Sequence, residues 1–464
     1  MKKNKKTREV SNKLADIKEP GIFNRFSGAD KISKISYFVM GYGAFMRGQI
    51  VKGLLYLVAQ IAYIAYFVGV GFSQLLGLIS LGVVEQGKVF DESLGIYIYS
   101  SGDNSMLFLL FGVLGILMFI GFVLLWYSSI KGSLANEALL KEGKKLPTFK
   151  DELKTLLNER FHYTILSIPT IMTFALTILP LIFMILLAFT NFDKNHQPPG
   201  TLFTWVGLRN FKSLLYANPI LSTTFIGILK WTAIWAVFAT FLNYIFGMML
   251  AMIINRKGIK FKGFWRTMFV ISIAVPQFVT LLVMAQLLHD RGAINIILKD
   301  IGWISESIRF LLNGTNAKIV VIIVNMWIGI PYTMLITSGI LMNIPKDLYE
   351  SAKIDGAGPV VQFFKITLPY MLSVTGPYLI TQFIGNINNF NVIFLLTGGG
   401  PLSLNYFQAG ETDLLITWLY KLTLNEKNYA LASTIGIVIF AISATLSLIV
   451  FRRVTGDGKE GQFQ

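Results

Sequence analysis

The sequence predicts an all-α integral membrane protein with about eight transmembrane helices: an N-terminal accessory pair followed by a six-helix core, with both termini cytoplasmic. Three observations predict it. The 464 residues are 54% hydrophobic and only 14% charged, a balance foreign to soluble domains. Apolar runs of about 20 residues recur along the chain. The Lys and Arg residues gather on alternate connections.

The apolar runs lie at 50–72, 106–130, 164–190, 221–253, 266–289, 316–340, 369–397 and 429–451. "QLLGLISLGVV" at 74–84 is too short to span alone and either extends the first helix or lies in the interface. An even number of spans leaves both termini on one side. On that side fall the region through Lys52, the loop 131–163, "NRKGIKFKGFWR" at 255–266, the loop 341–368 and the C-terminal residues, with about 30 of the 41 Lys and Arg. The positive-inside rule makes it the cytoplasm. The expected organisation is a basic N-terminal region 1–49, an accessory pair 50–130, a charged helical linker 131–163, a core 164–451 and a tail 452–464.

Several function classes drop out. The +16 net charge sits between apolar runs rather than on a polar fold, so it signals inner-face loops and not nucleic acid. Without cysteine there is no disulfide, thiol nucleophile or thiolate metal site. His162, His196 and His289 are scattered with no ligand spacing, so no metal is expected. The basic "MKKNKKTREVSNKLADIKEP" has no apolar core behind it, which reads as a cytoplasmic tract able to touch anionic lipid rather than a cleaved signal. No G-x-x-x-x-G-K-[ST] occurs, so no ATP is expected to be cradled by that route, and "TGGGP" at 397–401 reads as a turn.

The loop 344–369 carries the most specific signal. Pro345 suits a helix start, and "PKDLYESAKID" is helical, with Leu348, Tyr349 and Ala352 on one side. Gly356 and Gly358 break it, Pro359 opens a second turn, and Pro369 marks the beginning of the next span. The result is helix, corner, helix, with an apolar face bordered by charge that suits a groove on another protein. The alternative is a plain hairpin in which Glu350 and Lys353 form a surface pair.

"ESAKIDGAGPVVQFFKITLP", Glu350 to Pro369, resembles the EAA loop of ABC importer permeases. Its pattern is E-A-A, two residues, D-G-A, five residues, F-x-x-I-x-L-P, with Ser351 in place of one Ala as the single departure. The resemblance implies that Glu350, Ser351, Ala352, Asp355, Gly356 and Ala357 dock into a cleft of a separate ATPase subunit. Glu350 would meet a cation there, Gly356 would make the corner and Asp355 would brace it. The chain itself would bind no cofactor, ATP and Mg being used by the ATPase.

Two spans are unusually polar. The sixth carries "NMWIGIPYTM" and the seventh "TQFIGNINNFNVIF". Amides donate and accept together, which matches sugar hydroxyls, although any one Asn serves interhelical hydrogen bonding equally well. Pro276, Pro331 and Gly376-Pro377 would kink or open their helices where they line a cavity.

From 164 to 451 the chain resembles maltose/maltodextrin-type permeases, the first of two permease subunits in sugar importers. The resemblance is carried by "WVGLRNF", "IAVPQF", "NMWIGIPY", "NINNFNVIFLLTGGGP" and "ETDLLITWLYKL". It implies a sugar site of Asn325, Ile328, Gly329, Tyr332, Gln382, Asn386 and Asn389. It also implies as partners a second homologous permease, an ATPase dimer and an extracellular sugar-binding protein. The connection between the third and fourth spans is only about 30 residues long, short for a Gram-negative maltose permease, which suggests a Gram-positive type with a lipid-anchored binding protein. The rivals are a permease for a raffinose-type oligosaccharide or glycerol phosphate, an ion-coupled secondary transporter and a membrane enzyme. The phosphate requires basic residues in the cavity, the transporter mid-membrane charges or inverted repeats, and the enzyme a nucleophile–base or metal constellation.

Overall fold

The computed structural model describes residues 22–256 and 258–456; the basic tract at residues 1–20 and most of the tail lie outside them. Among the described residues seven helices are long and apolar enough to cross a bilayer, and an eighth span is a bent pair. In order they are α1 (Ile50–Ser80), α2 (Ser105–Lys141), α3 (Phe161–Leu187), α4 (Pro219–Asn255), the pair α5 (Lys262–Ala274) and α6 (Gln277–Leu287), and α7 (Gly314–Leu341). The short α8 (Lys346–Ile354) precedes α9 (Pro359–Thr397), α10 (Leu415–Leu424) and α11 (Tyr429–Gly456). All eight apolar runs are thus helical, and 74–84 extends the first helix as far as Ser80.

Prolines shape these helices in two ways. Pro276 ends α5: Val275 before it is extended (φ −76°, ψ 125°), and α6 leaves at 88°. A proline forces its predecessor out of the helical region and removes a donor, so the fifth span is broken rather than merely kinked. Pro180 and Pro369 instead stay inside continuous helices, each two residues after a π-turn, Phe174–Ile178 and Phe363–Thr367. The wider turn places an extra residue where the ring would press on the carbonyl four residues back. Pro369 is therefore not the start of its span, which begins at Pro359 and is interrupted at Asn388–Asn389, before its last turns.

Contacts divide the chain into two compact units, one reaching Met184 and including Gln197–Thr204, the other Ile185–His196 and Trp205 onward. In the first, α1 and α2 pack through reciprocal notches. A Cβ at Gly77 would run into the Phe108 ring, and one at Gly112 would meet Leu78 Cβ at 2.6 Å. A hairpin of β1 (Gly87–Asp91) and β2 (Ile96–Ser100) joins them. Near the base of α1, Arg47 is buried and donates to both Asp30 oxygens and to the Ser133 carbonyl. The linker is helical at both ends: α2 runs into it to Lys141, and a helix over Phe149–Leu157 begins in a capping box of Thr148 and Asp151.

In the second unit α4 and α7 form the interior, with 39% of each apolar window buried. Tryptophans on α4 and α10 hold connections by their indole N–H: Trp231 donates to the Thr412 carbonyl at 3.1 Å, Trp235 to that of Asn386 at 3.0 Å and Trp418 to that of Phe407 at 2.9 Å. Buried Trp is retained where its N–H finds such an acceptor. The α4–α7 crossing is again reciprocal: Gly329 of α7 receives Asn243 of α4, and Gly247 of α4 receives Thr333 of α7.

Candidate coupling loop and translocation site

The α8 helix ends in a Schellman corner. Gly356 is left-handed at φ +79°, its N–H donates to the Lys353 carbonyl at 3.1 Å, and the Ala357 N–H donates to that of Ala352 at 2.8 Å. The corner is thus built from Ala352, Gly356 and Ala357, while Asp355 is the C-cap residue. The Gln362 amide donates to the Ala357 carbonyl at 2.8 Å, and the Tyr349 and Thr367 hydroxyls share a 2.9 Å hydrogen bond. On this frame Ile354 (87% exposed), Val360 (68%) and Phe364 (58%) face outward beside exposed Glu350 and Ser351. Among the described residues Glu350 makes no salt bridge, with Lys353 or any other.

A cavity of about 300 Å³ opens where α5 and α6 part. Ser272, Ile273, Val275, Pro276, Gln277 and Thr280 line one side, and Trp327, Ile328 and Tyr332 of α7 the other. The break carries Ser272, Gln277 and Thr280 into its wall, and Gln277 accepts from the Asn391 amide at 3.3 Å. The polar groups donate and accept without charge, and the indole and phenol give faces for apolar C–H surface.

Of the residues expected in a sugar site, Ile328 and Tyr332 line this cavity. Asn325 is 5% exposed, and its Nδ2 has no partner among the described residues. Gly329 lies against Asn243. The Asn386 amide donates to Thr240 Oγ1 at 3.0 Å across to α4, and Asn389 caps the last turns of α9 by accepting from the Val392 N–H at 3.2 Å. Gln382 is half-buried on α9. Sequence reasoning missed Ser272, Gln277 and Thr280; Pro276 in their midst was the available signal.

Residues 243–455 match the family described as binding-protein-dependent transport system inner membrane component. The galactooligosaccharides transport system permease protein GanP of Bacillus subtilis is 32% identical over 93% of this chain and 99% of its own length. The chain belongs to this permease family. The maltodextrin transport system permease protein MalC of Streptococcus pneumoniae is 35% identical over 90% of this chain and 94% of its own. A bacterial ABC transporter involved in the import of alginate has a chain that superposes with a TM-score of 0.50 at 22% identity, covering 66% of this chain and 99% of that one, a likeness of fold. This permease is therefore a multi-pass protein of the cell membrane and the transmembrane component of an ABC importer, with α8 and its corner occupying the EAA stretch.

Proposed function

We infer that this permease conducts a neutral oligosaccharide of the maltodextrin type into the cell and couples that movement to a separate ATPase dimer using ATP and Mg. The loop of α8 would lie on the cytoplasmic face with both termini, as the charge asymmetry favours. The observation that carries the reading is the likeness along nearly the whole chain to maltodextrin permeases: MalC, and MdxF of Bacillus subtilis at 32% identity over 91% of this chain.

The mechanism follows from rigidity at one end and a break at the other. Exposed Glu350 and the apolar side chains beside it suit a cleft with a cation at its rim. The Schellman corner and the Tyr349–Thr367 bond make α8 move with α9, so closure of an ATPase dimer would displace the seventh span. The α5–α6 break lets one wall of the cavity shift without stretching a helix. A second permease would supply the facing half, and a lipid-anchored binding protein would deliver the sugar. Asn325, Ile328, Gly329, Tyr332, Gln382, Asn386 and Asn389 are assigned to the path. This chain hydrolyses no ATP.

A second cargo, a galacto-oligosaccharide, is favoured by the full-length likeness to GanP. The test is uptake of labelled maltotetraose, a β-galactotetraose and raffinose by cells carrying the wild-type chain or Glu350→Lys. Maltotetraose uptake lost on charge reversal, with the protein still in the membrane, is the expected result. Uptake of galactotetraose or raffinose alone replaces the cargo, and uptake indifferent to Glu350→Lys overturns the coupling assignment.

A further inference from the structure

The α4–α7 crossing holds two side-chain amides, each with one buried atom that has no hydrogen-bond partner among the described residues. A Cβ at Gly329 would collide with Asn243 Nδ2 and lie 2.5 Å from its Cγ, so the Asn243 amide lies directly on the Gly329 backbone. Asn243 Oδ1 is buried with no hydrogen-bond partner among the described residues. Asn325 stands one turn before Gly329 on the same face of α7, and its buried Nδ2 is equally unpartnered. One unmet acceptor and one unmet donor, from two helices, therefore flank the same glycine. Asn carries both functions, so turning either amide over still leaves one of its atoms to be satisfied.

Packing alone does not account for this pair. The reciprocal notch one turn further on, Gly247 against Thr333, is filled by a Thr methyl and Cβ at 2.9 and 2.7 Å. A small side chain suffices there, whereas a buried amide left unpaired is costly. A functional role is one of the explanations for such a group, an ordered water another. The neighbouring residues Ile328 and Tyr332 already form a wall of the cavity at the α5–α6 break.

We propose that Asn243, which does not line the cavity in this state, is a specificity-determining residue of the translocation path, pairing with Asn325 to present an acceptor and a donor to adjacent hydroxyls of a neutral sugar when the path opens beside Gly329. The proposal rests on the oligosaccharide reading above. Gly329 then has a definite part: it leaves the space that the Asn243 amide occupies.

The experiment is concentration-dependent uptake of labelled maltotetraose, and of labelled galactotetraose, by the complete importer in membrane vesicles. Wild type is compared with Asn243→Leu, which keeps the bulk, and Asn243→Asp, which keeps an acceptor. The Leu variant should reach the membrane at the wild-type level and raise KM about tenfold, the loss of one or two hydrogen bonds. The Asp variant should keep KM within about threefold, since its acceptor remains. An unchanged KM in Asn243→Leu overturns the proposal, as does equal loss of both variants from the membrane, which marks a packing residue. If the wild type takes up neither tetrasaccharide, the oligosaccharide reading itself fails and the proposal with it.

Discussion

The hydroxyls of Tyr349 and Thr367 meet at 2.9 Å, joining α8 to the π-turn at the root of the seventh span. The bond sits 18 residues across the loop and is partly buried. Tyr349→Phe keeps the ring and deletes the bond, a change of about 1 kcal/mol. Uptake per ATP hydrolysed by the reconstituted importer should fall severalfold, because a loosened α8 transmits less of the motion. A coupling ratio equal to wild type would show that the corner alone suffices.

Gly356 is left-handed, and a side chain added there would find nothing within 4 Å of its Cβ, so only backbone strain opposes substitution. Gly356→Ala should cost about 1–2 kcal/mol and Gly356→Asn less, because Asn tolerates this region. Uptake should rank Gly, Asn, Ala, and a reversal of the last two would mean that space, not φ, governs the corner.

Asp413 is fully buried and accepts from Lys421 at 2.6 Å, the Gly410 N–H at 2.7 Å and Thr417 at 2.9 Å. Asp413→Ala strands the Lys421 ammonium and the Gly410 N–H, while the Thr417 hydroxyl keeps the Leu414 carbonyl at 3.0 Å, and breaking a buried pair in this way costs about 3–5 kcal/mol. The thermal midpoint of the purified protein should drop, and less so for Asp413→Asn, which retains acceptors. Equal midpoints for wild type and Asp413→Ala would remove Asp413 as the anchor of the loop before α10.

Glu411 pairs with Lys318 at 2.7 Å, and that bond chiefly, against some desolvation, holds its carboxyl below the ordinary glutamate range. A lowered carboxyl stabilises the attachment fully above the ordinary value of about 4.3 and loses it as pH falls through the lowered one. Both partners are 30% exposed, so the contribution is below about 1 kcal/mol. Amide exchange in residues 398–412, corrected for the intrinsic rate, should therefore accelerate only as pH falls below the ordinary glutamate value of about 4.3. In Glu411→Gln the attachment should be weak at pH 7 already and lack that acid step.

The spans were legible because a bilayer demands about 20 apolar residues whatever the tertiary context. The hairpin was not. Ile96, Tyr97, Ile98 and Tyr99 put apolar side chains on both faces, erasing the alternation that marks a strand; Gly95 at φ +65° was its one local signal. The coupling loop was readable as helix, corner and helix since glycine and proline act locally. The path was harder. An Asn in a span looks the same whether it caps a helix, as Asn389 does, bridges to Thr240, as Asn386 does, or awaits a partner, as Asn325 does. Asn243, single in an apolar run, carried no signal until its contact with Gly329 was visible.

The π-turns before Pro180 and Pro369 have a consequence for how the chain can change in length. Removing one residue from Phe363–Thr367 would close the wide turn to an α-turn, bring the Pro369 ring against the carbonyl four residues back and shift the loop of α8 relative to the span. Tyr349 would lose Thr367, and the exposed Ile354 and Glu350 would point away from the cleft proposed for them. The stretch from Gly358 to Pro369 thus works as a fixed gauge, tolerant of altered side chains and intolerant of a single insertion or deletion.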